Sequence, residues 1–341
     1  MIVKKQRSAN KNLSAVTASA PAKTILFGEH FVVYGEPAIV LAIEKRAYAT
    51  ATRRSDTHIN VVSKNLGLSH CFENDCSLAD KDRKDVYAQL EPVVITVNEV
   101  LSRYYERKIG VNVEIRSSIP IAAGLGSSAA VAVATTLAVS ELFNLKLTLK
   151  EIFQIAYDAE KLIHGTPSGI DPLIATYGGI IIYQKDRYFT SVELKTEFPF
   201  VVGNTCIERS TGRLVAEVRR MYDSYPNIVK PIIKSGGQIA QVAAKMLQEG
   251  NLKTLGELMN VNHSLLQAVG VSNEALDKLV FAARKAGALG AKLTGAGGGG
   301  CMIALSEPQN LKAVKNAIEQ AAGKAFVAKK ALDGVRVERQ N

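Results

Sequence analysis

Two glycine-rich segments are the strongest chemical signals in the sequence. The first, Gly124-Leu-Gly-Ser-Ser-Ala129, opens a predicted helix of small residues and matches one form of the dinucleotide-binding fingerprint. That fingerprint needs a second strand with an acidic residue at its end, whereas Glu141 lies inside the helix and another helix follows. The segment also lacks the Gly-Lys-Ser/Thr ending of a Walker A loop. Both of these nucleotide-binding motifs are therefore excluded.

The same segment still has the properties of an anion site. Its glycines allow close approach of the backbone, and successive N–H groups converge where Ser127 and Ser128 begin the helix. The alternative is an ordinary serine N-cap with small residues for tight helix packing. The local sequence is compatible with either interpretation.

The second segment, Lys292-Leu-Thr-Gly-Ala-Gly-Gly-Gly-Gly300, contains a formal G-x-G-x-x-G but leads into a predicted strand over 301–305. Because no phosphate-binding helix follows, the dinucleotide interpretation fails here too. Four consecutive glycines are costly in chain entropy, and a simple turn needs only one or two. Close approach of the backbone to a ligand or to another domain explains them better than a flexible hinge, although a hinge is an alternative.

Asp171 is the first candidate for acid–base chemistry. It precedes Pro172, and Asp followed by Pro is typical of a helix N-cap and the first helical residue. A carboxylate on such a rigid loop is also suited to orient a hydroxyl nucleophile or to accept its proton. The local sequence does not separate the two roles.

Lys23 and two acids are further candidates with open alternatives. Lys23 stands alone in an apolar strand, either as a surface lysine or pointing inward to stabilise a developing oxyanion or a phosphoryl group. Asp158 and Glu160 lie on opposite flanks of the apolar stripe of a predicted helix over 148–163, so periodicity does not choose between them as a metal ligand. His30 has no partner at metal spacing, and hydrogen bonding beside Glu29 is expected.

Hydrophobic patterns predict the elements that must position these groups. In the first half we expect strands over 23–27, 48–52, 59–62 and 111–115, helices over 85–107, 127–142 and 148–163, and a hairpin from 180–183 and 188–193. Later we expect a strand from 198, helices over 211–223, 227–248, 252–269, 273–286 and 308–321, and strands near 291–294, 301–305 and 325–329. This change of pattern predicts a domain boundary near residue 195.

Composition sets the class of protein. The chain has 341 residues, 47% of them hydrophobic, which predicts a globular protein of two domains or one large domain. Lys and Arg exceed Asp and Glu by 42 to 32, and residues 1–18 form a basic arm that we interpret as a frayed terminus. The four cysteines form no Cys-x-x-Cys pair, so we expect reduced thiols and a cytoplasmic location. No apolar run is long enough to span a membrane.

The chain resembles the GHMP kinases from about residue 18 to residue 330. Three separated motifs carry the resemblance, over residues 21–38, 120–130 and 292–301, and residues 164–171 and 209–211 resemble two further landmarks. The first motif, with Gly-Glu-His-Phe-Val-Val-Tyr-Gly-Glu-Pro-Ala over 28–38, resembles the branch of the family that acts on mevalonate. The resemblance implies an α+β fold of two domains. Residues 19–195 would be ribosomal protein S5 domain 2-like and bind ATP, and residues 196–341 would be ferredoxin-like.

The resemblance also implies a role for each candidate residue. ATP phosphates would lie on Gly124, Leu125, Gly126, Ser127 and Ser128, and Mg²⁺ on Ser128 and Glu160. Asp171 would be the catalytic base or the hydroxyl-orienting carboxylate, with Lys23 close to the reacting oxygen. Mevalonate would be lined by Glu29, His30, Tyr34 and Thr211, with its carboxylate on Arg209, and the second glycine loop, which includes Gly295, Ala296, Gly297 and Gly298, would face the same cleft.

The function implied is phosphorylation of the 5-hydroxyl of mevalonate in isoprenoid biosynthesis, with ATP as co-substrate and Mg²⁺ as cofactor. Related acceptors in the same family are the alternative, either another mevalonate hydroxyl or a phosphorylated mevalonate. The net charge of +10 also admits a nucleic-acid-binding protein, but no basic stripe interleaved with aromatic residues occurs. We therefore expect small anionic ligands, with neither nucleic acid nor membrane as partner, and a homodimer by resemblance.

Overall fold

The computed structural model describes residues 14–73, 89–106, 108–121, 123–164, 168–184, 189–193, 198–208 and 211–339. Its strands are β1 (Ala15–Phe27), β2 (Ala38–Arg53), β3 (Ile59–Ser63), β4 (Leu68–Phe72), β5 (Val111–Ser117), β6 (Ile180–Tyr183), β7 (Thr190–Ser191), β8 (Phe200–Asn204), β9 (Gly290–Leu293), β10 (Cys301–Leu305), β11 (Lys324–Ala328) and β12 (Arg336–Val337). Its helices are α1 (Glu91–Tyr104), α2 (Ser127–Leu142), α3 (Leu149–His164), α4 (Ile170–Tyr177), α5 (Thr211–Ser224), α6 (Pro226–Glu249), α7 (Leu252–Ala268), α8 (Glu274–Lys285) and α9 (Leu311–Gln320).

The first sheet has the strand order β12-β1-β2-β5-β3-β4, and β6 joins β2 to β7. All its pairs are antiparallel except β3 with β5. Helix α2 packs on β1 and β2. It is built mostly of alanine, valine and threonine, and these short side chains let its axis lie close to the sheet. Its N-terminus is consequently held near the middle of β1.

The second sheet has the antiparallel order β11-β8-β10-β9. Numbered along the chain, these four strands lie in the order 4-1-3-2, with α8 before the second strand and α9 between the third and fourth. This is the β-α-β-β-α-β arrangement of ferredoxin-like domains, with α5, α6 and α7 added between β8 and α8. The α+β class expected from the resemblance is confirmed.

The end of the described chain returns to the first sheet. Strand β12 pairs with β1, with Ala18 opposite Val337. The buried guanidinium of Arg46 donates to the carbonyls of Ser19 and Gly334, 3.2 and 2.5 Å away. The first sheet is therefore built from both ends of the described chain. The proposed boundary near residue 195 stays a prediction.

Most predicted elements are confirmed, with informative differences at their ends. Residues 15–18, expected in the basic arm, lie in β1, while residues 1–13 fall outside the described residues. The strand expected over 48–52 lies in the second half of β2, whose first six residues, 38–43, are all apolar and lack alternation because they are buried on both faces. Strands β4 and β12 were not predicted. None of the helices in the described part of the chain has both the length and the apolar character that crossing a bilayer requires.

Candidate active site

Lys23 points inward from the middle of β1. The strand changes register against β2 between Pro21 and Ala22, at a proline that has no N–H to donate to the ladder. The Lys23 side chain, 9% exposed, lies with its Nζ 3.1 Å from Oδ1 of Asp171. The surface-lysine interpretation is therefore wrong, and the inward-pointing one agrees with the geometry.

Asp171 belongs to the first turn of α4. The N-cap of that helix is Gly169, in the left-handed conformation with φ +76°, and Asp171 follows two residues later. The expectation that Asp171 is the N-cap is therefore wrong. Its carboxylate remains 30% exposed while paired with Lys23, so it can reach both a buried cation and the open cleft.

The first glycine loop is fixed against the same lysine. The backbone N–H of Lys23 donates to the carbonyl of Leu125 at 2.9 Å. Gly126 has φ +73°, and a Cβ there would lie 2.8 Å from Cγ of Lys23 and 3.5 Å from Oδ2 of Asp171. Gly126 is also the N-cap of α2, so the serine N-cap interpretation is wrong. Ser127 and Ser128 instead begin the helix with N–H groups that have no acceptor within it.

The structure separates the two acids that helical periodicity could not. The Asp158 carboxylate accepts from Arg103 at 2.8 Å and from Lys161 at 3.1 Å, so it is held in surface ion pairs. Glu160 is turned toward the cleft, and its Oε2 is buried without a hydrogen-bond partner. Burial, reinforced by the negative charge of Asp171 and opposed by Lys23, raises the pKa of Glu160 to about 7.

A cleft of about 530 Å³ connects these groups, a volume typical of small-molecule sites. One end is formed by Gly124, Gly126, Ser127, Ser128, Glu160 and Asp171. The other end is formed by the β3–β4 turn and the start of α1, including Asn65, Gln89 and Pro92. The cleft therefore extends from the carboxylates of Glu160 and Asp171 along the N-terminus of α2 to the β3–β4 turn and the start of α1.

Glu29 lies behind this cleft and is fully buried. Its carboxylate forms an ion pair with Nζ of Lys292 on β9, which also donates to the carbonyl of Leu293 at 2.7 Å. Asn262 donates to Oε2 of Glu29 at 3.4 Å. Burial raises the pKa of Glu29 and lowers that of Lys292, and the attraction within the pair opposes both effects. The predicted contact of Glu29 with substrate is not supported by this burial, and the geometry gives it a supporting place instead.

Of the other residues expected at the substrate, His30 and Tyr34 lie in the turn after β1, whereas Thr211 lies on α5. Nε2 of His30 lies 2.8 Å from the carbonyl oxygen of Ala296 in the second glycine loop. The Tyr34 ring stacks on Tyr222 of α5 with ring centres 4.4 Å apart. Thr211 is the exposed first residue of α5. Arg209 lies outside the described residues, so its predicted contact with a substrate carboxylate stays a prediction.

The second glycine loop is packed closely against the protein. A Cβ on Gly297 would lie 1.9 Å from the carbonyl oxygen of Val271, and one on Gly298 would lie 2.8 Å from Leu214 of α5. Gly295 has φ +78°, which favours glycine. These glycines are needed for close approach to Val271 and to α5, which lie in the same predicted domain, so the packing argues against a hinge and the expected approach to the other domain is not what these two positions provide.

Sequence reasoning missed Lys292, Asn262 and Tyr222. A signal for Lys292 was available, because it is a lone lysine in an apolar strand, as Lys23 is. Asn262 and Tyr222 carried no such signal, since each lies on an amphipathic helix where a polar or aromatic residue is ordinary.

The arrangement suits phosphoryl transfer. A carboxylate paired with a buried ammonium group can orient a hydroxyl and take its proton, and the N-terminus of α2 can bind phosphate oxygens. The unpaired Oε2 of Glu160 fits a Mg²⁺ ion, which prefers oxygen ligands and often takes only one or two carboxylates beside substrate phosphates. No group of three or more His, Cys, Asp or Glu side chains at metal spacing occurs among the described residues, so a metal held wholly by protein ligands of that kind is not indicated there.

Comparison with known proteins agrees with this chemistry. Residues 92–179 match the family model for the GHMP kinases N terminal domain, and residues 243–325 match the one for the GHMP kinases C terminal domain. A mevalonate kinase of Thermococcus sibiricus is 46% identical over 331 residues, which cover 95% of this chain and 98% of that protein.

Two solved structures are similar along nearly their whole length. The crystal structure of the Methanococcus jannaschii mevalonate kinase has a TM-score of 0.83 at 29% identity, with 93% of this chain and 99% of that one covered. The L. major mevalonate kinase in complex with R-mevalonate has a TM-score of 0.79 at 30% identity, with 96% and 97% covered.

Proposed function

This chain belongs to the GHMP kinase family, and from that premise we propose that it transfers the γ-phosphoryl group of ATP to the 5-hydroxyl group of mevalonate. It is an ATP-dependent kinase. The observation that carries the proposal is the Lys23–Asp171 ion pair at 3.1 Å, set against the N-terminus of α2 in a chain so similar to mevalonate kinases.

The residues of the proposed site have different roles in the reaction. The triphosphate of ATP lies along Gly124, Leu125, Gly126, Ser127 and Ser128, where helix N–H groups bind its oxygens. Asp171 orients the hydroxyl of mevalonate and accepts its proton as the oxygen bonds to the γ-phosphorus and the bond to ADP breaks. Lys23 stabilises the negative charge that develops on the reacting oxygen and on the phosphoryl group.

Ser128 and Glu160 would hold Mg²⁺, which when bound neutralises charge on the phosphates. The support for this part of the proposal is the burial of Glu160 with one oxygen unpaired. Glu160 favours a proton when no cation is present, since burial and Asp171 both raise its pKa. A cation near this carboxylate would displace that proton and keep it ionised.

Mevalonate would lie between Asp171 and the turn after β1, beyond the residues that line the cleft of about 530 Å³. His30, Tyr34, Thr211 and Arg209 line this part of the proposed site, with Arg209 on the carboxylate of mevalonate. Gly295, Ala296, Gly297 and Gly298 form the loop behind them, and the His30 contact with Ala296 supports this placement. Glu29 has a supporting role here because it is buried.

We further propose that the enzyme works in the cytoplasm as a homodimer, with neither nucleic acid nor membrane as a partner. The support comes from chemistry and from the resemblance. Cys71, Cys206 and Cys301 are free thiols, which suits a reducing compartment. The basic excess helps gather ATP and mevalonate, which are both anions.

A coupled assay of ADP release tests the substrate. Mevalonate, galactose, homoserine and phosphomevalonate are offered separately with ATP and Mg²⁺, and turnover is expected with mevalonate. Phosphorus NMR of the product then identifies the phosphorylated oxygen, expected at the 5-position. Turnover of another member of the panel with none for mevalonate would refute the substrate and leave the kinase assignment in place.

A further inference from the structure

Lys292 of β9, and Thr294 and Ala296 in the loop that follows it, contact the strand and turn that carry Lys23 and His30. Lys292 pairs with Glu29, and the carbonyl oxygen of Ala296 accepts a hydrogen bond from Nε2 of His30 at 2.8 Å. Between them, Oγ1 of Thr294 accepts from the backbone N–H of Ile25 at 3.0 Å. Lys292 and Thr294 are two residues apart and make these contacts through their side chains, whereas Ala296 follows the left-handed Gly295 and contacts the turn through its backbone carbonyl.

The backbone of the same segment is hydrogen-bonded to a helix that packs against the second sheet. The backbone N–H of Leu293 donates to Nδ1 of His263 on α7, 3.3 Å away. Nε2 of the same ring lies 3.2 Å from Oδ1 of Asp277 on α8. The segment is therefore held on both sides, and it links α7 and α8 to the turn behind the cleft.

That turn has an uncommon backbone geometry. His30 has φ +59° and ψ −41°, and the N–H of Phe31 donates to the carbonyl of Glu29 at 2.6 Å. These values describe a γ-turn of the rare kind with positive φ, which is strained for a residue with a Cβ. A strained turn persists only where surrounding contacts hold it, and Glu29 and His30 on this turn contact Lys292 and Ala296 respectively.

We propose that Lys292 is a positioning residue for the reaction, which holds Glu29 and thereby keeps the γ-turn at His30 in its place beside the substrate. The inference rests on the proposed function, since it assigns His30 to the mevalonate side of the cleft. The proposed nucleotide-binding loop, Gly124–Ser128, is held in place by a different contact, because the backbone N–H of Lys23 on β1 donates to the carbonyl of Leu125. Loss of the pair should therefore affect mevalonate much more than ATP.

The test is the double variant Glu29→Gln/Lys292→Met, which removes both charges and leaves no unpaired ion in the interior. We expect a folded protein whose kcat/KM for mevalonate falls about a hundredfold, because misplacement by about 1 Å can have this effect, while its KM for ATP is nearly unchanged. Lys292→Arg retains the charge and is measured in parallel, so that the test stands if the double variant does not fold. It is expected to show a smaller loss with the same selectivity for mevalonate.

Arg46→Met is the matched control. Arg46 is another buried cation, but its guanidinium contacts Ser19 and Gly334 away from the cleft. This variant should lower the unfolding temperature without changing the KM for mevalonate.

Near-normal kcat/KM for mevalonate in the folded double variant, or in Lys292→Arg if only that variant folds, would overturn the proposal. An equal loss for ATP and mevalonate would overturn it as well, since that pattern indicates general destabilisation. Wild-type turnover of mevalonate reports separately on the proposed function. If the wild type uses another acceptor, the same ratios are measured with that acceptor.

Discussion

Replacing Glu160 by Gln is expected to stabilise the ligand-free protein at pH 8 while removing most of its turnover. Glu160 is placed where an ionised carboxylate is unfavourable, because it is buried, has an unpaired oxygen and faces Asp171. Glutamine keeps the shape and carries no charge. The variant therefore removes an energetic penalty together with the proposed Mg²⁺ ligand.

The size of the effect follows from the pKa. Folding raises the pKa of Glu160 from 4.5 to about 7, and a difference of about 2.5 in pKa corresponds to about 3 kcal/mol. Since the folded pKa is the higher one, the stabilising contribution of the proton is complete below pH 4.5 and is lost as the pH rises through 7. We expect Glu160→Gln to exceed the wild type by about 2–3 kcal/mol at pH 8 and to differ little at pH 4.5.

Urea unfolding in EDTA, followed at pH 4.5 and pH 8, measures this difference. Asp158→Asn is the matched control on the same helix, because Asp158 is held in surface pairs with Arg103 and Lys161. It should lose at most about 1 kcal/mol at pH 8. If Glu160→Gln is no more stable than the wild type at pH 8, the burial argument for Glu160 is wrong. If it retains full turnover with Mg²⁺ and ATP, the proposed metal ligand is wrong.

Three further predictions concern the same framework. Lys23→Met and Asp171→Asn should each lower kcat about 10²–10⁴-fold, as measured by ADP release, and retain the nucleotide affinity, as measured by calorimetry. Full activity in either variant would show that the residue takes no part in the reaction. Gly126→Ala should lower the free energy of unfolding by about 2–3 kcal/mol and raise the KM for ATP, because strain at φ +73° adds to the clash with Lys23. The control Gly179→Ala, with φ +67° and open space around it, should lower the free energy of unfolding by only about 1–2 kcal/mol. Burial and the charge of Arg284 lower the pKa of His263 to about 4, so stability is lost as the pH falls from 6.5 through 4. The unfolding temperature of His263→Gln should therefore depend less on pH in that range than the wild type's does. An unchanged slope of unfolding temperature against pH would contradict this.

The sequence was sufficient to predict those elements whose pattern depends on residues close together in the chain. The capping box at the start of α3 is an example, because Thr148 and Glu151 exchange hydrogen bonds within one turn of the chain. Helices α5 to α9 were predicted to within about three residues because each buries one face and exposes the other. Residues 38–43 of β2 were not predicted as a strand because both faces of this part are buried, which removes the alternation on which strand prediction relies.

The site could be predicted as a set of candidates but not as an arrangement. Lys23 and Asp171 were both singled out, yet neither could be oriented, since their pairing joins residues far apart in sequence. The choice between Asp158 and Glu160 likewise depended on Arg103, which lies on a different helix. Glu29 was assigned to the substrate because the resemblance to the GHMP kinases implied it, and only the position of Lys292 shows that its carboxylate is occupied elsewhere.

The pairing of β12 with β1 has a consequence for synthesis of the chain. A protein emerges from the ribosome with its N-terminus first, so β1 is made long before its partner strand at residues 336–337. Until then, one edge of the strand that carries Lys23 has no neighbour at Ala18 and Ser19, and Arg46 has no Gly334 carbonyl to bind. An unpaired strand edge is a site of aggregation. The first sheet of this kinase therefore becomes complete only after the second domain has been synthesised, and premature release of the chain would leave that edge open.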